Sequence, residues 1–132
     1  MEGIDLEEKR ECPKVDIEGV EMTQNDYVRE DARWNCLKLI EHSKKYKVFD
    51  LPLAGIDIGI SAWGGKLTVD SFVYHMKRIE NTNLEYPILL DDRGTICDGW
   101  HRVCKALLRG DTTIKAIRLS TMPDADHYYN ED

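Results

Sequence analysis

Pro87-Ile88-Leu89-Leu90-Asp91-Asp92-Arg93-Gly94-Thr95-Ile96-Cys97-Asp98-Gly99-Trp100-His101-Arg102, continuing into Val103-Cys104-Lys105-Ala106-Leu107-Leu108-Arg109-Gly110, reads as strand, turn, strand and then a helix that opens on Asp-Gly-x-His-Arg. Pro87 opens the strand Ile88 to Leu90, and Asp92-Arg93-Gly94 turns the chain back into Thr95 to Cys97. Gly110 ends the helix as a left-handed cap. On that helix Trp100, Val103, Cys104 and Leu107 are expected to face inward, with Arg102, Lys105 and Arg109 on the other side. Gly99 supplies permissive backbone where the helix starts, and helix starts combine unpaired N–H groups with the positive end of the dipole. With His101 and Arg102 in the first turn, the physical reading is a phosphate seat.

Working outward, Thr113 to Leu119 alternates and makes a final strand, beyond which the pattern is lost. Upstream, Thr68 caps a helix with Asp70 in its first turn, and Val69, Phe72, Val73, Met76 and Ile79 form an apolar stripe expected to be buried. Tyr46 to Leu53 is rich in strand formers, with Pro52 restricting it to an edge or a strand end. Between them, Ala54 to Lys66 carries Gly55, Gly59, Gly64 and Gly65 and suits a long loop beside a ligand. Thr23 is expected to cap a helix running to about Lys44, on which Trp34, Leu37 and Ile40 share a face. The expected organisation is an acidic lead over 1–22, one α+β domain over 23–119 and an acidic tail over 120–132.

At 132 residues there is enough chain for one core, not for a catalytic domain and a separate DNA-reading domain. No apolar run approaches a membrane span and no signal pattern opens the chain, so a soluble, cytoplasmic protein is expected. Cys12, Cys36, Cys97 and Cys104 form no Cys-x-x-Cys pair, which points to reduced thiols. The net charge of −7 is concentrated at the ends: residues 1–22 hold eight acids and three bases, and 120–132 four acids and no base. Around the seat, Arg102, Lys105, Arg109, Lys115 and Arg118 face only Asp111, which predicts a local positive patch. So small a patch suits a nucleotide's phosphates better than a long duplex.

The run through Asp98-Gly99-Trp100-His101-Arg102 to Ala106, Gly110 and the strand Ile114 to Leu119 resembles the ParB/sulfiredoxin-like superfamily, whose members carry Gly-x-[His/Arg]-Arg at a helix start. Val48 to Leu53 looks like that family's first strand with its proline, and Thr68 to Ile79 like its helix, so the resemblance covers about 46–119. Trp63-Gly64-Gly65-Lys66 and His75-Met76-Lys77-Arg78 make the chain look most like small stand-alone ParB-like proteins of bacteria and their phages. The resemblance implies a small mixed sheet packed with about three helices and binding of ATP or CTP, with Mg²⁺ neutralising the phosphates. Two departures narrow it. Trp100 stands where sulfiredoxins have their catalytic cysteine, which argues against sulfinic-acid reduction. The helix-turn-helix and dimerisation domains of partition proteins do not follow, which argues against sequence-specific DNA binding by this chain alone.

The candidate nucleotide contacts are Gly64, Gly65, Lys66, Gly99, Trp100, His101 and Arg102, with Arg102 as a bidentate phosphate clamp. Gly64-Gly65-Lys66 lacks the glycine and the Ser or Thr of a Walker motif, since Ile60 and Leu67 stand there. Asp98 and His101 are the candidate catalytic pair, with Asp98 also the candidate metal ligand; the bland alternatives are an Asp98 that only caps the helix and a His101 that only satisfies the turn. Trp63 is either a base-stacking lid or core, His75 reads as structural, and Cys97 and Cys104 as buried, inert thiols. Three functions stay open: nucleotide binding with NTP hydrolysis or phosphoryl transfer, a metal-dependent ParB-like nuclease, and a regulatory or phage binding module with a protein partner or as a homodimer.

Overall fold

A computed structural model describes residues 26–129, which are α+β, with three α-helices, a short 3-10 turn at Leu53–Gly55 and two sheets. The lead over 1–22, Thr23 and Cys12 lie outside the described residues. The quoted stretch folds largely as its pattern dictates. Strand β4 is Ile88–Leu90, β5 is Ile96–Asp98, helix α3 is Trp100–Arg109 and strand β6 is Thr113–Arg118. With β3 (Phe49–Pro52) they form a four-stranded sheet in the order β3-β6-β4-β5, in which β4 and β6 run parallel across the α3 crossover and the other pairs are antiparallel. Pro52 ends β3 at the sheet's edge, where its missing N–H costs no ladder bond.

Both faces of this sheet are covered, which explains the unbroken apolar run of β4. Ile88 and Leu90 point to one face and pack with Val103 and Ala106 of α3, Ile114 and Ala116 of β6, and Leu53. Leu89 points to the other, where Ile117 and Leu119 meet Trp34, Ala32 and Leu39. That second layer is the element the helical reading missed. Residues 26–35 form a hairpin of β1 (Asp26–Arg29) and β2 (Ala32–Asn35), and only Cys36–Ser43 is helix, α1. Ala32, Trp34 and Cys36 recur at two and are all buried, whereas Leu37, on the expected helical face, is exposed. Tyr27 pairs with Trp34 across the hairpin with ring centroids 5.9 Å apart. Asn35 then caps α1, its side chain accepting from the Leu37 N–H at 2.8 Å.

The acidic tail is also structured where expected to be patternless. His127–Tyr128 forms β7 against β2. The Trp34 indole donates to the Pro123 carbonyl at 2.8 Å, and the Asp126 carboxylate accepts the Asn35 N–H at 2.7 Å. The packed unit therefore runs on to Tyr129. Between the two sheets, Asp91 is fully buried and accepts from Tyr27 Oη (2.8 Å), Arg29 (3.1 Å) and the N–H groups of Arg93 and Thr95 (both 2.9 Å). Burial raises its proton affinity, but the N–H of Thr95, the Tyr27 hydroxyl, the Arg93 N–H and Arg29 outweigh that and hold it below the usual carboxylate range.

Helix α2, Val69–Asn81, starts as expected, with the Ser71 N–H reaching Thr68 Oγ1 at 3.4 Å. Its apolar stripe is not buried: Val69 is 82% exposed, Phe72 and Val73 are half exposed, and only Ile79 is fully inside. The helix instead turns Tyr74, His75 and Arg78 toward α3, so the polar residues between the stripe positions face the interior. Among the described residues no helix is long and apolar enough to cross a membrane.

Candidate functional site

Gly99 sits at the N-cap of α3 with φ 117°, and a Cβ there would lie 2.6 Å from Ile88 Cγ2 and 3.1 Å from the Ile88 backbone. Only glycine fits, and its absent side chain lets the helix start press against β4. This position aims the first turn of α3 into a cavity of about 500 Å³ lined by β1, the 62–63 loop, α2 and α3. Its volume falls within the range of small-molecule sites.

Two imidazoles meet at the centre. His75 Nδ1 and His101 Nε2 are 2.8 Å apart, so one donates and the other accepts. Trp63 stacks on both, with centroids 3.9 Å from His75 and 5.0 Å from His101, and Tyr74 meets each edge-on. Burial, then Arg78, His75 and Arg102, pushes the His101 pKa down to about 4. Burial and Arg78 lower that of His75 as well. Both rings are therefore neutral at pH 7. Arg78 donates to Tyr74 Oη at 2.9 Å and lies over the same ring, which brings a guanidinium to the cavity wall.

Arg102 is not on the exposed face of α3. It is buried, bonded through Nη2 to Asp98 (3.0 Å) and to the Pro87 carbonyl (3.3 Å), while its Nε has no partner among the described residues. The ion pair lines the cavity, yet it spends Arg102 on Asp98 and Asp98 on Arg102. Asp98 is therefore not the helix cap, a place that Gly99 takes without a side-chain bond. The expected inward face of α3 is correspondingly rotated: Arg102, Val103 and Ala106 are buried, Trp100 and Cys104 half-buried, and Leu107 exposed. The positive patch is also dispersed. Lys105 donates to the carbonyls of Glu80 (3.1 Å) and Thr82 (2.8 Å) at the end of α2, Arg109 pairs with Asp111, Lys115 with Glu85, and Arg118 bonds the Asp92 carbonyl.

Of the remaining candidates, Trp100 lines the cavity beside His101, while Gly64 and Gly65, at φ 66° and 60°, border an adjoining apolar cavity. Lys66 is exposed and lines neither. Burial pushes the Cys36 thiol up to about 12 and raises those of Cys97 and Cys104, so at neutral pH these cysteines are inert thiols. No protein-family model, no curated protein and no solved structure matches this chain. Three residues of the site, Tyr74, His75 and Arg78, are given no binding role by the sequence, in which His75 reads as structural and His75-Met76-Lys77-Arg78 enters only as a point of resemblance.

Among the described residues no group of three or more His, Cys, Asp or Glu side chains is placed to share a metal ion. Asp98 fits poorly as a magnesium ligand, because Arg102 already neutralises it at 3.0 Å. The cavity is lined by groups that can donate to an anion: a guanidinium, a tyrosine hydroxyl, the one N–H that the hydrogen-bonded pair of neutral imidazoles leaves over, and the first N–H groups of α3.

Proposed function

We propose that this chain is a ParB/sulfiredoxin-like nucleotide-binding domain, seating the phosphates of ATP or CTP in the cavity at the start of α3. The observation that carries the reading is the convergence of Arg78, His75 and His101 with the Gly99 helix start on a single cavity of about 500 Å³. Support for the fold family comes from the order strand, turn, strand, helix, parallel strand around the Asp98-Gly99-Trp100-His101-Arg102 motif. In this reading Arg78 takes the role of phosphate cation, and the Asp98–Arg102 pair holds the floor of the site. A base works best with a pKa near the working pH, and His101 at about 4 is far below it, so the reading is one of binding with slow turnover. A metal-dependent nuclease would lean on Asp98, the carboxylate that Arg102 neutralises.

Calorimetry with ATP and CTP on wild type, Arg78→Gln and His101→Gln tests the proposal. Wild type is expected to bind at least one of the two, and each substitution to weaken binding by roughly tenfold, or about 1.4 kcal/mol. No binding by wild type, or equal binding by all three proteins, overturns it. Arg102→Ala is a poor probe, because it leaves Asp98 without its counter-ion and perturbs folding as well as binding.

A further inference from the structure

Beside the polar cavity lies a second one, of about 390 Å³, walled by Ile58, Ile60, Leu67, Val103 and Leu107. Trp63 and Trp100 line both cavities, so the two share a wall of indole rings. Their chemistries are opposite. The first gathers Arg78, His75, His101, Tyr74 and the Asp98–Arg102 pair. Among the described residues the second has no charged side chain, and its side chains that can form a hydrogen bond are Ser61, the Cys104 thiol and the indole N–H groups of Trp63 and Trp100. Trp63 has one face against His75 and borders the apolar side as well. Ile58, Ile60 and Leu67 are all more than half exposed, a run of apolar side chains that the fold itself leaves uncovered.

We infer that the two cavities form one bipartite site, taking a phosphate ester whose organic part is held by apolar contact and stacking. This rests on the phosphate reading above and adds the class of group attached to the phosphate: a flat aromatic, whether aryl or nucleobase, recognised by its faces. A lining without charged side chains, whose hydrogen-bonding side chains are limited to Ser61, Cys104 and two indole N–H groups, has little to leave unpaired when one ring replaces another, so it discriminates weakly between rings. The consequence is tolerance of the base, with affinity coming from burial of the ring against Ile60, Leu107 and the indoles.

The test is calorimetry with inorganic phosphate and with naphthyl phosphate on wild type, Ile60→Asn and Leu107→Asn. Both substituted side chains are partly exposed, so the fold tolerates the changes, which circular dichroism checks. Naphthyl phosphate is expected to bind wild type at least roughly tenfold more tightly than inorganic phosphate, and each substitution to erase most of that advantage while leaving inorganic phosphate unchanged. Equal binding of the two ligands by wild type, or an advantage that survives both substitutions, overturns the inference and leaves the phosphate seat standing. Binding of neither ligand overturns both. A preference of more than tenfold among AMP, CMP, GMP and UMP overturns recognition by ring faces alone.

Discussion

Gly99→Ala tests the join between fold and site. The Ala Cβ would sit 2.6 Å from Ile88 Cγ2 and 2.8 Å from Ile88 Cβ, and Ile88 cannot yield, because it is fully buried and its own Cα lies 3.1 Å away. Forcing a larger side chain into a packed core costs about 1–3 kcal/mol. Holding an L-residue at φ 117° adds about 1–3 kcal/mol. The sum is about 4 kcal/mol, which for a domain of this size lowers the melting temperature by roughly 12–20 °C. Two other glycines separate the terms. Gly110 has φ 80° with nothing within 4 Å of a Cβ, so Gly110→Ala carries strain alone, about 1–2 kcal/mol. Gly55 has open space and no left-handed backbone, so Gly55→Ala is neutral or stabilises by about 0.5 kcal/mol. Urea unfolding of the three variants should rank them Gly55, Gly110, Gly99 in increasing loss. A Gly99→Ala protein no less stable than Gly110→Ala would refute the close packing of the α3 start on β4.

Two further outcomes follow from the buried ionisable groups. The His101 pKa falls from about 6.5 unfolded to about 4 folded, so the unfolded chain takes up the proton first as pH drops. The stabilisation it contributes is present at neutral pH and lost between about 6.5 and 4; after allowance for solvent screening it amounts to about 1–2 kcal/mol. Urea unfolding from pH 7.5 to 4.5 should show this slope, reduced in His101→Gln, and a His101 ring proton that titrates near 6.5 by NMR would contradict it. Asp91, held below the usual carboxylate range, contributes stability above its unfolded pKa of about 4 that is lost as pH falls through its folded value. Asp91→Asn keeps the acceptor for Arg93 and Thr95 but removes the charge beside Arg29, so a loss of about 2–4 kcal/mol at pH 7 and a flatter acid limb are expected by chemical denaturation.

The elements around Gly99 were legible because local rules and tertiary packing agree there. Pro87, the Asp92-Arg93-Gly94 turn and Gly110 punctuate a strand, a hairpin and a helix whose lengths leave little choice. Over residues 26–43 the rules conflict. Trp34, Leu37 and Ile40 satisfy a period of three, but Ala32, Trp34 and Cys36 satisfy a period of two, and cross-strand pairing of Trp34 with Tyr27 decides for the hairpin. In α2 the apolar stripe named the face of greatest hydrophobicity. Burial instead followed the face that could bond, with Lys105 capping the helix end and His75 meeting His101.

Sequence alone determined where the helix of the site begins and that its entry favours glycine, since a left-handed backbone at the Asp98-Gly99 step is a local property of the chain, whereas the press of Ile88 that excludes any Cβ there comes from packing. Tertiary structure decided which charges the site keeps. A buried guanidinium needs a counter-ion within reach, and Asp98, four residues back at the end of β5 and largely desolvated itself, claims Arg102. Residue type could not reveal that pairing. Only the approach of α2 to α3 brings Arg78 and His75 to the same cavity as His101, because residues 26 positions apart in the chain become neighbours solely through packing.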